Sequence, residues 1–314
     1  DLVVATNRIY IYGSGFSLYG YLPCLVDNFS AEIYLTEEKI AVLEKRPELC
    51  RYLSKVYLAE SEVAALESCD SVVVAVPPQI QFEIVSKCLQ YNNIMRYYLE
   101  KPLAVTPDDG NILINNLYLR GRDLSIGFIL STLQVFEKID FSATRNNQNF
   151  ELHWEFYAHH FSHNLDTWKR RHSDGGGVLR FYGIHLIALL VKKGYSHVEK
   201  STLIGGDNEP YLWRANFSGN GLKRIGVSLN SKSKLNRFDL MLNNLEIFSY
   251  QTPFSSVSDD SDLDPRVSLL TKTINSNFED QQITEQFNRN IISLWKKVEV
   301  VTEFDTYNSN EEGH

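Results

Sequence analysis

Residues 9–29 read IYIYGSGFSLYGYLPCLVDNF. A short β-type run, IYIY, meets glycines at 13 and 15 and then a helical pattern. A strand that feeds a glycine turn and a helix is the opening of a dinucleotide-binding unit. Gly13 permits the tight turn, and Gly15 lets the backbone approach a pyrophosphate. With Phe16 they are the candidate cofactor contacts of this segment. The helix that follows presents free N–H groups and its positive end to that anion. The pattern G-x-G-x-x-G asks for a third glycine where this chain has Leu18, and Gly20 comes two residues late. A leucine there holds the helix off the sheet or demands a local adjustment. A structural turn without a ligand is the alternative reading.

Outward from this turn the alternation continues. AEIYLTE (31–37) is a second strand that ends on Glu37, 24 residues after Gly13. A carboxylate at that distance accepts hydrogen bonds from an adenosine ribose and repels a ribose phosphate, which favours NAD slightly over NADP. Glu37 and Glu38 equally suit the N-terminus of the next helix. SVVVAVPP (71–78) is an unbroken apolar strand of the buried, parallel kind. MRYYLEKP (95–102) and LSIGFI (124–129) are further strands, and helical segments of about ten residues separate the strands. Ligands bind outside the carboxyl ends of such strands. GSG at 13–15, the turn Val76, Pro77 and Pro78, and EKP at 100–102 all fall there and outline one crevice.

Composition fits two globular domains: 314 residues, 43% hydrophobic and 22% charged. We expect a dinucleotide-binding domain over 1–121, a substrate and oligomerisation domain over 122–307, and a disordered tail over 308–314. A net charge of −8 supplies no basic field for nucleic acid. No run of 18 apolar residues implies a membrane span, and the N-terminal residues lack the order of a secretion signal. The expected location is the cytoplasm. The four cysteines, at 24, 50, 69 and 88, form no C-x-x-C pair and read as buried thiols.

Lys101 ends a strand beside Glu100 and before Pro102. A lysine in a cleft holds a substrate oxygen and stabilises charge as hydride moves. Glu100 can orient it or tune its charge, and a surface salt bridge is the plain alternative. Four segments, GSGFSLYGYLPCL (13–25), SVVVAVPPQIQFEI (71–84), LEKPLAVTPDD (99–109) and GGGVLRFYGIHLIALL (175–190), resemble the glucose–fructose oxidoreductase / inositol dehydrogenase / rhizopine-catabolism family in order and separation. The resemblance implies a Rossmann-type parallel sheet followed by an α/β domain on an open, mostly antiparallel sheet. It implies NAD- or NADP-linked chemistry on sugars, sugar nucleotides or cyclitols. It assigns Lys101 as the catalytic lysine and His185 as the proton-transfer histidine. The family's aspartate four residues before that histidine is Phe181 here, and its histidine after the paired prolines is Gln81.

GGG at 175–177 is expected to be a flexible turn where backbone meets ligand. VLRFYGIHLIALLVKK then reads as one helix, with Phe181 and His185 on one face. His185 would exchange a proton with a hydroxyl or carbonyl, and Tyr182 is the nearest substitute donor. Upstream, Trp168 and Arg170 would edge a sugar or sugar diphosphate, and Arg171 is a second anion contact. His159, His160 and His163 lack metal-ligand company, so no metal is expected. Past residue 200, YLWRANFSG, GLKRIGVSLN, FDLMLNN and LEIFSY are strands of the open sheet, one face of which could bury a second copy. SSVSDDSDLDPR (255–266) reads as a mobile loop or lid, and 278–297 as an amphipathic helix. The leading function is oxidoreduction of a sugar-like small molecule. The alternatives are a catalytically weak cofactor-binding relative and a reductase of a non-sugar carbonyl or imine.

Overall fold

The computed structural model describes residues 7–143, 148–206, 208–257 and 262–305. The chain divides into two compact units. The first is Asp1–Ala104, Asp109–Ile129 and Val257–Gln286; the second is Val105–Asp108, Leu130–Ser256 and Phe287–His314.

The first unit carries β1 (Arg8–Tyr12), α1 (Leu22–Phe29), β2 (Glu32–Leu35), α2 (Glu37–Glu44), β3 (Val56–Leu58), α3 (Glu62–Ser68), β4 (Ser71–Val74), α4 (Pro78–Cys88), β5 (Arg96–Leu99), α5 (Pro107–Leu119) and β6 (Asp123–Ile126). The strands form one parallel sheet in the order β3-β2-β1-β4-β5-β6. All four residues of β4 are buried, as a central parallel strand with both faces covered requires. The order reverses at β1 and β4, so the turns after those strands flank the switch point where ligands of such sheets bind.

The second unit begins its sheet with β7 (Asn149–Tyr157), which the sequence reading did not identify as a strand. Phe150, Leu152 and Trp154 are buried, whereas Glu151 is exposed and His153 and Glu155 are half-buried on the other face. The one-turn α6 (His159–Ser162) and α7 (Ile184–Lys192) follow, then β8 (His197–Gly206), β9 (Glu209–Ser218), β10 (Arg224–Asn230), β11 (Lys232–Leu242) and β12 (Leu245–Tyr250). The glycines at 219 and 221 lie in the antiparallel β9–β10 hairpin, as expected.

After β12 the chain returns to the first unit through α8 (Arg266–Glu279). Asn277 Nδ2 donates to Ser125 Oγ at 2.9 Å, and Gln281 grips Leu124 on both sides, accepting from its N–H at 2.8 Å and donating to its carbonyl at 3.1 Å. The expected boundary after 121 therefore differs from this division: β6 and α8 complete the first unit. The helix expected over 278–297 is interrupted at Asp280, an extended residue. Asp280 Oδ1 accepts from the N–H groups of Gln282 and Ile283 and caps α9 (Gln281–Val301). A short β13 (Thr302–Asp305) closes the second sheet, in the order β12-β11-β7-β10-β9-β8-β13. Only β10–β7 and β13–β8 are parallel, so the sheet is mostly antiparallel, as expected. The tail expected over 308–314, and 258–261 of the acidic segment, lie outside the described residues. Cys24, Cys69 and Cys88 are buried free thiols, but Cys50 is exposed, against the expectation of four buried ones. Its place on the irregular turns of 47–55 leaves one side in solvent.

Candidate cofactor and substrate sites

The glycine turn after β1 is built by a close approach of two strand ends. Gly13 has φ +95°, and a Cβ there would stand 2.5 Å from the Ala75 carbonyl oxygen and 2.9 Å from Ser17 Oγ. Only glycine lets the chain pass so near the end of β4. Gly15 is different: it is exposed, and nothing lies within 4 Å of its Cβ position. The Gly15 carbonyl accepts from both Leu18 and Tyr19 N–H, at 2.9 and 3.2 Å. The Leu22 N–H reaches back to the Ser17 carbonyl, one residue further than in an α-helix. Ser17–Tyr21 is therefore a wide turn, a form that recurs at functional sites. Leu18 lies fully buried within it, in the local adjustment its size demands.

Gly20 leaves the space occupied by the Phe16 ring. The Arg266 guanidinium covers that ring at 4.4 Å, and Asp264 holds Arg266 through bonds of 2.9 and 2.8 Å. Phe16 is thus a fixed wall beside the turn. The residues present fit a dinucleotide on three counts. The chain leaves open space at Gly15, Ser17 Oγ is buried without a hydrogen-bond partner, and a helix starts at the turn. Val76 and Pro77, half-buried after β4, flank the same sheet edge; Pro78 is buried as the first residue of α4. Glu37 is exposed at the first position of α2, directly after β2. That place serves a ribose contact and the helix dipole alike.

The EKP corner follows β5. The Lys101–Pro102 peptide is cis. Glu100 hangs from the neighbouring strand by its N–H to the Val74 carbonyl, at 3.1 Å. Its carboxylate lies 2.9 Å from the Tyr21 hydroxyl, which also stands 3.2 Å from the Leu99 carbonyl oxygen. A side chain at Gly127 would overlap Glu100 Oε1. Burial pushes the Glu100 carboxyl up to about 7, although the Lys101 charge, the Tyr21 hydroxyl and the Arg266 charge all pull it down. Gln81 Nε2 donates to the carbonyls of Glu100 and Leu103, at 2.6 and 3.3 Å. Tyr21, Gln81 and Gly127 thus shape the corner without belonging to any motif recognised in it. Their only sequence signal is that each directly follows or opens an element already assigned.

In the second unit the glycine triplet is a packing device, which corrects the expected flexible turn. All three glycines are buried. A side chain at Gly176 would overlap the Trp168 carbonyl oxygen, and one at Gly177 (φ +74°) would touch Pro210 Cγ at 3.2 Å. The expected single helix also changes: Val178–Gly183 is a wide turn, with the Ile184 N–H bonded to the Leu179 carbonyl, and α7 starts only at Ile184. The i,i+4 face shared by Phe181 and His185 is lost as a helical register, because the two residues belong to different windings.

Tyr182 lies in an aromatic cluster, with ring centroids 4.7 Å from Phe156, 4.6 Å from Phe181 and 6.0 Å from Trp154. Trp168 meets Phe181 edge-on at 5.4 Å, and the Lys169 ammonium stands 5.5 Å from the Phe181 ring. The structure thus brings Trp168, Phe181 and Tyr182 together. His185, 8% exposed, belongs to the buried face of α7. Arg170 pairs with Glu209 at 2.8 Å, and Arg171 with Asp166 and Asp174 at 2.5 and 2.6 Å. These carboxylates balance the charge that an anion contact would use. Burial, aided by Lys169 and Arg170, drives the His160 imidazole down to about 4; burial and Arg180 drive His172 down to about 3. Among the described residues no group of three or more His, Cys, Asp or Glu is placed to hold a metal, and no helix is long and apolar enough to cross a membrane.

Comparison with known proteins agrees with this architecture. Residues 8–128 match the model of the GFO/IDH/MocA oxidoreductase family, NAD-binding Rossmann fold. No curated protein sequence matches the chain significantly. KijD10, a 3-ketoreductase from Actinomadura kijaniata solved with NADP and TDP-benzene, aligns over 96% of this chain and 100% of its own, with 13% identity and a TM-score of 0.68. The WlbA (WbpB) dehydrogenase of Thermus thermophilus, solved with NAD and UDP-GlcNAcA, aligns over 96% and 97%, with 13% identity and a TM-score of 0.68. UDP-N-acetylglucosamine 3-dehydrogenase GnnA from Acidithiobacillus ferrooxidans aligns over 94% and 97%, with 16% identity and a TM-score of 0.65. At these identities the likeness establishes the fold. The dinucleotide-binding part of this chain, residues 8–128, belongs to the GFO/IDH/MocA oxidoreductase family.

Proposed function

We propose that this chain is an NAD(P)-dependent oxidoreductase acting on a hydroxyl or carbonyl of a sugar or nucleotide-sugar. The observation that carries this reading is the open space at Gly15 on the same sheet edge as the Glu100–Lys101 corner, within a domain of an oxidoreductase family. The sugar-nucleotide ligands named for the WlbA and GnnA structures support the substrate class.

A bound nicotinamide cofactor supplies or accepts the hydride. Gly13, Gly15 and Phe16 hold the pyrophosphate end, with Val76 and Pro77 beside them and Glu37 placed for the ribose, which favours NAD slightly. Lys101 holds the substrate oxygen and offsets its developing negative charge. His185 exchanges the proton, with Tyr182 as the substitute donor. Trp168 and Phe181 offer ring faces to a sugar, and Arg170 contributes if a substrate phosphate displaces Glu209. The protein works in the cytoplasm as a homo-oligomer through the polar face of its second sheet, and needs neither nucleic acid nor metal.

Titration with NADH and NADPH, followed by nicotinamide fluorescence, tests the reading. Saturable binding of one of them is expected. A folded protein that binds neither, reduced or oxidised, defeats the proposal. With a sugar-nucleotide substrate, Lys101→Ala should lower kcat by about a hundredfold or more, and His185→Ala by less if Tyr182 supplies the proton. Cofactor binding without turnover would instead favour a catalytically silent relative, the reading suggested by Phe181 within its aromatic cluster.

A further inference from the structure

We infer that Tyr21 is a positioning residue for Lys101: its hydroxyl holds the Glu100 carboxylate in place and keeps a negative charge beside the lysine amine. This rests on the role proposed for Lys101. Tyr21 itself touches no ligand, since it is only 1% exposed.

The corner is restrained on three sides, all within the first unit. The Tyr21 hydroxyl spans the Leu99 carbonyl oxygen and Glu100 Oε1, at 3.2 and 2.9 Å. Gln81 Nε2 binds the carbonyls of Glu100 and Leu103, at 2.6 and 3.3 Å, and so brackets the backbone of Lys101 and Pro102. Gly127 keeps clear the volume that Glu100 Oε1 occupies. Glu100 is half-buried as a residue, but its carboxyl is enclosed by these neighbours.

An enclosed carboxyl prefers its neutral form, and only its neighbours keep it ionised. The groups that face it are Lys101 on its own turn, Tyr21 from the wide turn, and Arg266 from α8. Burial raises the Tyr21 phenol well above its ordinary value, so it stays a donor throughout the neutral range. The opposing effects on Glu100 nearly balance at neutrality, where its carboxyl is pushed up to about 7. Loss of one hydrogen bond then shifts the carboxyl toward its protonated form. Lys101 loses a neighbouring negative charge, and its ammonium gives up a proton more readily. The two groups titrate as a linked pair.

Competitive acetylation of the full chain with acetic anhydride over a pH series, read by mass spectrometry, reports the titration of each lysine. The exposed Lys234 serves as internal reference. In Tyr21→Phe the midpoint for Lys101 should fall by about half a pH unit or more, with Lys234 unmoved. Glu100→Gln should lower it at least as far, and the double variant no further than Glu100→Gln alone. An unchanged Lys101 midpoint in Tyr21→Phe, or a shift shared by Lys234, overturns the inference. NADH and NADPH titrations of the same wild-type preparation judge the functional reading separately. Absent cofactor binding refutes that reading, while the Lys101 midpoint alone decides for or against Tyr21.

Discussion

GSG at 13–15 and GGG at 175–177 look alike in the sequence, since each precedes a helical pattern. In the structure each also feeds a wide turn, Ser17–Tyr21 in the first unit and Val178–Gly183 in the second. What surrounds the glycines is opposite. Gly15 faces empty space, whereas Gly176 is pressed against the backbone of Trp168 and Lys169. The same residue type leaves room for something outside the chain in one case and for the chain itself in the other. A glycine cluster therefore announces a close approach, and only the atoms around the missing side chain tell what approaches.

Substitutions can break that contrast. The largest effect is expected from Gly176→Ala, whose methyl meets a backbone carbonyl that cannot swing aside. It should cost about 3 kcal/mol or more and lower Tm markedly. All four tryptophans, Trp154, Trp168, Trp213 and Trp295, lie in the second unit, so their fluorescence follows its unfolding. A wild-type Tm in Gly176→Ala would dismiss the packing account. Gly15→Val should do the reverse, with Tm unchanged and NADH affinity reduced by about tenfold or more. Loss of stability with affinity intact would mean that Gly15 serves the fold.

The units should also differ in their response to acid. His160 and His172 stay neutral in the folded second unit, down to about 4 and about 3. Unfolded, they take up protons below their ordinary value of 6.5. The unfolded chain then binds more protons, so stability is complete above that value and is lost as the pH falls toward the folded ones. The loss should be on the order of 2 kcal/mol. Glu100 acts in the opposite sense. Its carboxyl is raised from 4.5 to about 7, so the folded first unit holds its proton longer and loses stability as the pH rises across that interval. Denaturant unfolding at a series of pH values, read by tryptophan, should weaken toward acid, and His160→Gln should flatten the slope. A profile independent of pH between 6.5 and 4 would contradict the pKa directions given for His160 and His172. The smallest effect is expected at Gly177→Ala, about 1 kcal/mol, from its positive φ; Tm measures it.

The first sheet was readable because its strands are continuous apolar runs separated by helical patterns. SVVV at the centre of the sheet is the clearest example, and Ile9 and Ile11 of β1 are likewise fully buried. β7 escaped notice because its second face is polar. Glu151, His153 and Glu155 alternate with the core residues, and the histidines that follow suggested a loop. The return of α8 to β6 depends on the side chains of Asn277 and Gln281 meeting Ser125 and Leu124, and no local pattern announces contacts across some 150 residues. At the candidate site, Lys101 and Gly15 were visible through motifs. Tyr21 and Gln81 act through the backbone and carboxylate of a neighbour, so their identity alone carries no signal.

The return of α8 also imposes an order on biosynthesis. A ribosome releases the chain from its N-terminus, yet the first unit draws on residues as late as Gln286. Its last strand, β6, emerges long before the helix that covers it. Throughout translation of the second sheet, the nascent first domain lacks the surface that α8 supplies, including the buried side chains of Leu269, Leu270 and Ile274. The dinucleotide fold therefore closes almost at the end of synthesis, and until then the apolar surface under α8 is open to chaperones or to premature association.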